Sequence, residues 1–143
     1  MRISEIDLQT EDIMWFAIDS NGYIFECTSA GCGNVPEYIC CSKENTDKLL
    51  DYFTNKAVVL TKPILLIPEE DNYLTKDITE LASKGIFCYD IDEDDDNYYT
   101  LVSKPEKPIT INDLPEEIRS IISSHVYEGN IPESSRITVR HAY

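Results

Sequence analysis

Basic residues are scarce in this chain. Twelve Lys and Arg stand against 27 Asp and Glu, which leaves a formal net charge of −15 and a pI near 4.3. Nucleic acid and anionic membranes are held by clustered cations that neutralise phosphate, so neither is expected as a partner. Glycine (5) and proline (7) are too few for a collagen-like or low-complexity chain. Long apolar runs are missing too. The most apolar stretch, residues 57–68, is too short to span a bilayer and contains Lys62 and Pro63. The opening residues, Met1 to Asp7, are broken by acids and lack the apolar core of a signal peptide. Five cysteines (Cys27, Cys32, Cys40, Cys41 and Cys88) form an odd set without an export signal. Reduced thiols and a cytoplasmic location are the expectation.

What is present is core material. Hydrophobic residues make up 42% of 143 residues, enough for one ordinary domain spanning 1–143. Residues 12–19 are apolar on both alternating faces, as in a strand that lies centrally and is covered on each side. Asp19-Ser20-Asn21-Gly22 is a turn signal, so Tyr23 to Cys27 returns as an antiparallel partner. Thr28 to Pro36 is a loop of small residues, and Pro36 to Cys41 reads as a further short strand.

Ser42 caps a helix over about 43–55, in which Thr46, Leu49, Leu50 and Phe53 recur at helical spacing. A buried strand follows within 58–67, interrupted by Pro63. A second helix covers about 76–84, with Gly85 at a left-handed C-terminal position. Strands are expected at 86–91 and 98–103, joined by the acidic hairpin loop 92–97. The third helix is expected after Asp113, capped by Asp113 and Glu116 with Pro115 in the first turn. A loop at 131–135 and a terminal strand at 137–140 complete the chain. The fold class expected is α+β, a mainly antiparallel sheet with about three helices.

The acids are concentrated. Residues 68–97 hold eleven of them against two lysines. Asp90, Asp92 and Asp94 match the first ligand positions of a helix–loop–helix calcium site. Asp95 then stands where the turn glycine belongs and Leu101 where the bidentate Glu belongs, so no dedicated calcium site is expected. A solvated tip that docks a basic partner is the functional reading: Asp92, Glu93, Asp94, Asp95 and Asp96, with Tyr98 and Tyr99 as interface aromatics.

Other chemistries are weaker in the sequence. Cys27 and Cys32 have four residues between them, at the edge of zinc-ligand spacing, while the adjacent Cys40 and Cys41 would point to opposite sides of an extended chain. Cys32 lies in a Gly-rich context that would expose it, and His125 or His141 would have to reach it to act as a base. The loop Ser29-Ala30-Gly31-Cys32-Gly33 lacks the Lys-Ser/Thr ending of a nucleotide-binding loop. No catalytic residue, metal or cofactor is assigned from the sequence.

Trp15-Phe16-Ala17-Ile18-Asp19, Asn21-Gly22, Thr28-Ser29-Ala30-Gly31 and Val35-Pro36-Glu37, followed by a short acidic helix, form an ordered pattern over residues 10–53. This pattern resembles small, largely uncharacterised bacterial proteins, some of which look like immunity proteins of polymorphic toxin systems. The resemblance implies a non-enzymatic domain that neutralises a basic toxin through an acidic surface. The alternatives are a small metal- or thiol-dependent domain built on Cys27 and Cys32, or a regulatory ligand-binding module with its pocket beside the first hairpin.

Overall fold

The reversal at Asn21–Gly22 forms as expected, with Gly22 at φ +85°, a region that costs a residue without Cβ little. It joins β1 (Met14–Ile18) to β2 (Ile24–Thr28) as an antiparallel pair. Asp19, buried at the turn, accepts the N–H groups of Asn21 and Tyr23 on one carboxylate oxygen, both at 2.9 Å. Its other oxygen accepts Ile131 N–H at 2.8 Å, tying the hairpin to the C-terminal region.

The computed structural model describes residues 1–68 and 73–143. Among these, six strands form one curled sheet of an α+β domain, and three of the five α-helices have seven or more residues. The helices are α1 (Glu5–Thr10), α2 (Glu37–Cys40), α3 (Lys43–Asp51), α4 (Tyr73–Ser83) and α5 (Glu116–Ile122). The remaining strands are β3 (Pro63–Leu65), β4 (Phe87–Ile91), β5 (Tyr99–Pro105) and β6 (Arg136–Ile137). The sheet runs β1-β2-β4-β5-β3, and β6 pairs with β5 beyond this path. All pairings are antiparallel except β2 with β4. No helix among the described residues is long and apolar enough to cross a membrane.

Alternation along the strands divides the core in two. Trp15, Ala17, Phe25, Tyr89 and Tyr99 pack on one face with α1, α2 and the C-terminal segment. Phe16, Ile18, Ile24, Cys88 and Val102 pack on the other against α3, α4 and α5. Trp15 and Phe16 are both fully buried, and Phe16 stacks on Phe53 with ring centroids 4.7 Å apart.

Several elements differ from the sequence expectation. β1 is buried on both faces as expected, yet it is the terminal strand of the sheet and not a central one. At Ile18 its outward edge is instead sealed by the segment after α5. Ile18 N–H donates to His125 C=O at 2.9 Å, and Tyr127 N–H donates to Ile18 C=O at 2.8 Å. Residues 37–40 are helical and not a strand, because Pro36 fixes an extended N-cap from which Cys40 and Cys41 N–H already reach back to Pro36 and Glu37 C=O. The expected strand at 58–67 shortens to Pro63–Leu65, and Val58, Val59 and Leu60 are exposed.

Asp113 does not cap α5. Leu114 precedes proline and is held extended, so Asp113 instead closes a 3₁₀ turn, accepting Thr110 N–H at 2.9 Å. The helix after Ser42 is α-helical to Asp51 and widens to a π turn over Tyr52–Lys56. Lys84, itself buried, donates from Nζ to Phe53 C=O (2.7 Å) and Thr54 C=O (3.0 Å), satisfying carbonyls that the altered turn releases.

Phe16→Ala should cost about 3–5 kcal/mol in urea unfolding, because a fully buried ring leaves a cavity on a strand that cannot collapse. Ile6→Ala, on the exposed side of α1, should change stability by less than about 0.5 kcal/mol.

Candidate functional site

The β4–β5 hairpin carries the acidic tip. Asp92 N–H donates to Tyr98 C=O at 3.0 Å and Tyr98 N–H to Asp95 C=O at 3.1 Å, closing the turn. The carboxylates then build their own frame. Asp92 Oδ1 accepts Asp94 N–H at 2.9 Å, and its Oδ2 accepts Thr100 Oγ1 at 3.0 Å. Asp95 Oδ1 accepts both the backbone N–H and the side-chain amide of Asn97 at 3.0 Å. These Asx-type bonds use short acids where a turn needs acceptors. The hydrogen bond from Asp94 N–H, followed by that from Thr100, lowers the Asp92 pKa below its ordinary value.

Arg136 is the cation at this tip. Its Nε lies 3.3 Å from Asp92 Oδ2, and its guanidinium sits over the Tyr98 ring at 3.7 Å from the centroid. Glu93, Asp94 and Asp96 are exposed, while Asp92, Asp95 and Tyr98 are half-buried. Tyr99 is different. It is fully buried, donates to Asn34 C=O at 2.6 Å and packs edge-on against Trp15, which removes it from the surface expected for it. Neighbours on a strand point to opposite faces, so the pair Tyr98–Tyr99 divides between surface and core. Glu69, Glu70 and Asp71, part of the same acidic stretch, lie outside the described residues.

The cysteines do not assemble. Cys27 and Cys88 are buried in opposite halves of the core, and burial raises both thiol pKa values well above the ordinary value. Cys40 is buried and pushed up to about 11, again mainly by burial. Cys32 is exposed and bonded to Ser29 C=O. Among the described residues, no group of three or more His, Cys, Asp or Glu converges as a metal site.

Cys32 and His141 do line one small hollow of about 130 Å³. Desolvation and the neighbouring Asp96 raise the Cys32 pKa, which is the wrong direction for a nucleophile. His141 Nδ1 is taken by Val35 N–H at 3.0 Å. His125 is buried at the end of α5 and its Nδ1 meets Phe16 C=O at 3.1 Å, a bond in which the ring must donate. Burial lowers its pKa, so the neutral ring serves as a clamp on β1.

The Gly-rich loop is likewise occupied by its own fold. Ala30 N–H donates to Asp12 Oδ1 at 2.8 Å, so a carboxylate of the chain already sits where an anion would bind. Cys32 and Gly33 N–H both donate to Ser29 C=O. A Cβ on Gly33 would lie 2.6 Å from Tyr99 Oη, so glycine here admits the buried tyrosine.

No family model, curated protein or solved structure matches the chain. The functional reading therefore rests on the residues themselves.

One buried group is absent from the sequence reading. Glu26 on β2 is fully buried, between Phe16 of β1 and Cys88 of β4 in register. Its Oε1 accepts Thr28 Oγ1 at 2.5 Å, and its Oε2 has no hydrogen-bond partner. The signal lies in the run Ile24-Phe25-Glu26-Cys27, where alternation puts one acid on the same face as Ile24. Burial, opposed by the Thr28 bond and reinforced by Asp90, Asp12 and Asp77, pushes its pKa up to about 8.

The unfolded carboxyl ionises near 4.5, so between there and about 8 the folded chain holds a proton that the unfolded chain has lost. Glu26 therefore leaves stability intact below that window and lowers it progressively as pH rises through it. Glu26→Gln should raise stability at pH 7.5 by roughly 2–4 kcal/mol and at pH 4.5 by far less, measured as urea unfolding free energies across pH. Equal gains at both pH values would show that the carboxyl is not protonated in the fold.

Proposed function

We propose that this chain is a non-enzymatic, stoichiometric protein-binding domain. Its acidic hairpin tip docks a basic protein, and its most concrete form is an immunity-type inhibitor of a basic toxin. The observation that carries this reading is the division of labour among the tip acids. Asp92 and Asp95 are spent on internal bonds that hold the loop, whereas Glu93, Asp94 and Asp96 are left exposed on that frame. A preformed field of one sign speeds encounter with a cationic surface and disfavours acidic competitors. The net charge of −15 works in the same direction at long range. Tyr98, held by Arg136, supplies an aromatic edge beside the acids.

A second reading, a ligand-binding module, is favoured by one feature. A groove of about 860 Å³ lies between residues 126–128 and 138–143, with Tyr38, Tyr127 and Tyr143 in its walls and Arg140, Glu37 and Glu128 as charges. Tyr127 packs on Phe25 of the first hairpin.

The test is capture from a lysate of the source organism on the immobilised full chain. The wild type should retain one basic protein in stoichiometric amount at low salt and release it at high salt. Glu93→Gln, Asp94→Asn and Asp96→Asn together keep the Asp92 and Asp95 bonds. This variant should slow association with that protein about ten-fold and flatten its salt dependence. An unchanged on-rate in the folded variant removes the tip from the mechanism. Retention of nothing by a folded wild type moves the weight to the groove.

A further inference from the structure

The segment that seals β1 at Ile18 has an edge of its own. His125 C=O accepts Ile18 N–H, Tyr127 N–H donates to Ile18 C=O, and Gly129 C=O accepts Ser20 N–H at 3.2 Å. Residues 125, 127 and 129 therefore turn backbone groups toward the first hairpin. In an extended run the residues between them turn theirs the other way. Among the described residues, the N–H and C=O of Val126 and Glu128 make no bond within the chain. Two residues at strand spacing thus leave both their donors and their acceptors open on one side.

Val126 and Glu128 both line the groove of about 860 Å³ that residues 138–143 bound on its far side. The edge is preformed. The His125 ring holds Phe16 C=O, the Tyr38 ring packs on His125 with centroids 5.6 Å apart, and Tyr127 packs on Phe25. The far wall is fixed too, by Ala142 N–H on Val35 C=O at 2.9 Å and by Val35 N–H on His141 Nδ1 at 3.0 Å. Among the described residues, the hydroxyls of Tyr38 and Tyr127, which also line the groove, have no partner within the chain.

We propose that this groove binds a single extended peptide segment, which adds as a strand along Val126 and Glu128. The assignment names the ligand class and rests on the groove being a ligand site. Backbone geometry selects the occupant. Alternate residues of an extended chain present an N–H and a C=O together on one side, at the spacing that Val126 and Glu128 offer. With residues 138–143 on its far side, the groove takes a lone segment and not a strand that brings its own sheet. Because the edge is already ordered, binding does not have to order it.

Charge sets the character of the segment. Glu37 is held by Arg2 at 2.5 Å, while Glu128 on one wall and Arg140 on the other have no ion-pair partner among the described residues. These charges balance across the groove, so a near-neutral segment fits it, in contrast to the basic surface that suits the acidic tip. The rings of Tyr38 and Tyr127 cover apolar side chains, and their open hydroxyls bond polar ones.

The test is selection of a phage-displayed random heptapeptide library on the immobilised full chain, with the enriched peptide then synthesised with capped ends. In the labelled free chain the Val126 and Glu128 amides should exchange rapidly, and the bound peptide should protect both at least about ten-fold. N-methylation of one alternate set of peptide residues removes the N–H groups that face the edge and should weaken binding at least about ten-fold. N-methylation of the other set should leave it within about two-fold. The combined Glu93→Gln, Asp94→Asn and Asp96→Asn variant should bind the peptide as the wild type does. A peptide that this variant loses sits at the tip, which overturns the proposal and leaves the tip reading standing. If the Arg140 and Tyr143 amides shift while Val126 and Glu128 gain no protection, strand addition is overturned and the groove remains a ligand site. The same holds if both methylated forms bind as the parent does. A folded chain that enriches no peptide overturns the proposal as well.

Discussion

The structure depends on keeping water away from β1. This strand buries large apolar groups on both faces, Trp15 toward one half of the core and Phe16 toward the other, yet it ends the sheet. A terminal strand leaves half of its backbone groups without partners, and in a dry setting each unpaired group is costly. The chain resolves this by bringing the segment after α5 alongside. Ile18 exchanges bonds with His125 and Tyr127, and the His125 ring takes Phe16 C=O. Asp19 then fastens the turn to Ile131. Elements far apart in sequence are thus joined at one strand, and α5 is fixed over Phe16 and Ile18 as a consequence.

Charge is distributed with comparable economy. Most of the acids lie on the surface, where solvent screens them and a basic partner can use them. A few are structural: Asp12 holds the Gly-rich loop, Asp19 the first turn, and Asp92 and Asp95 the β4–β5 tip. Glu26 is the exception, a fully buried carboxyl with one unpartnered oxygen. Its cost falls on the fold, and the Thr28 hydroxyl on its other oxygen offsets only part of it.

Much of the local structure was legible. Asn21–Gly22 fixed the first hairpin, the period of Thr46, Leu49, Leu50 and Phe53 fixed α3, and Gly85, at φ +93°, marks the end of α4. These signals act within a few residues. The elements that differ from the sequence pattern are those in which local and distant effects compete. Residues 36–41 are too short for a period to separate helix from strand, so the proline-set entry decided. Two-sided burial made β1 look central, because coverage by an irregular segment after α5 cannot be distinguished from coverage by a strand. The parallel pairing of β2 with β4 joins residues some sixty apart and leaves no local trace. Within the acidic tip, composition located the loop, but only strand alternation separates half-buried Tyr98 from fully buried Tyr99.

The sealed edge is tested most directly by native-state hydrogen exchange on the amides of Ile18 and Tyr127. If the segment after α5 is part of the core, both should exchange only through global unfolding, with protection equal to that of Phe25 and Tyr89 at the centre of the sheet. Exchange of Ile18 or Tyr127 through a local opening, about a hundred-fold faster than the central amides, would contradict it.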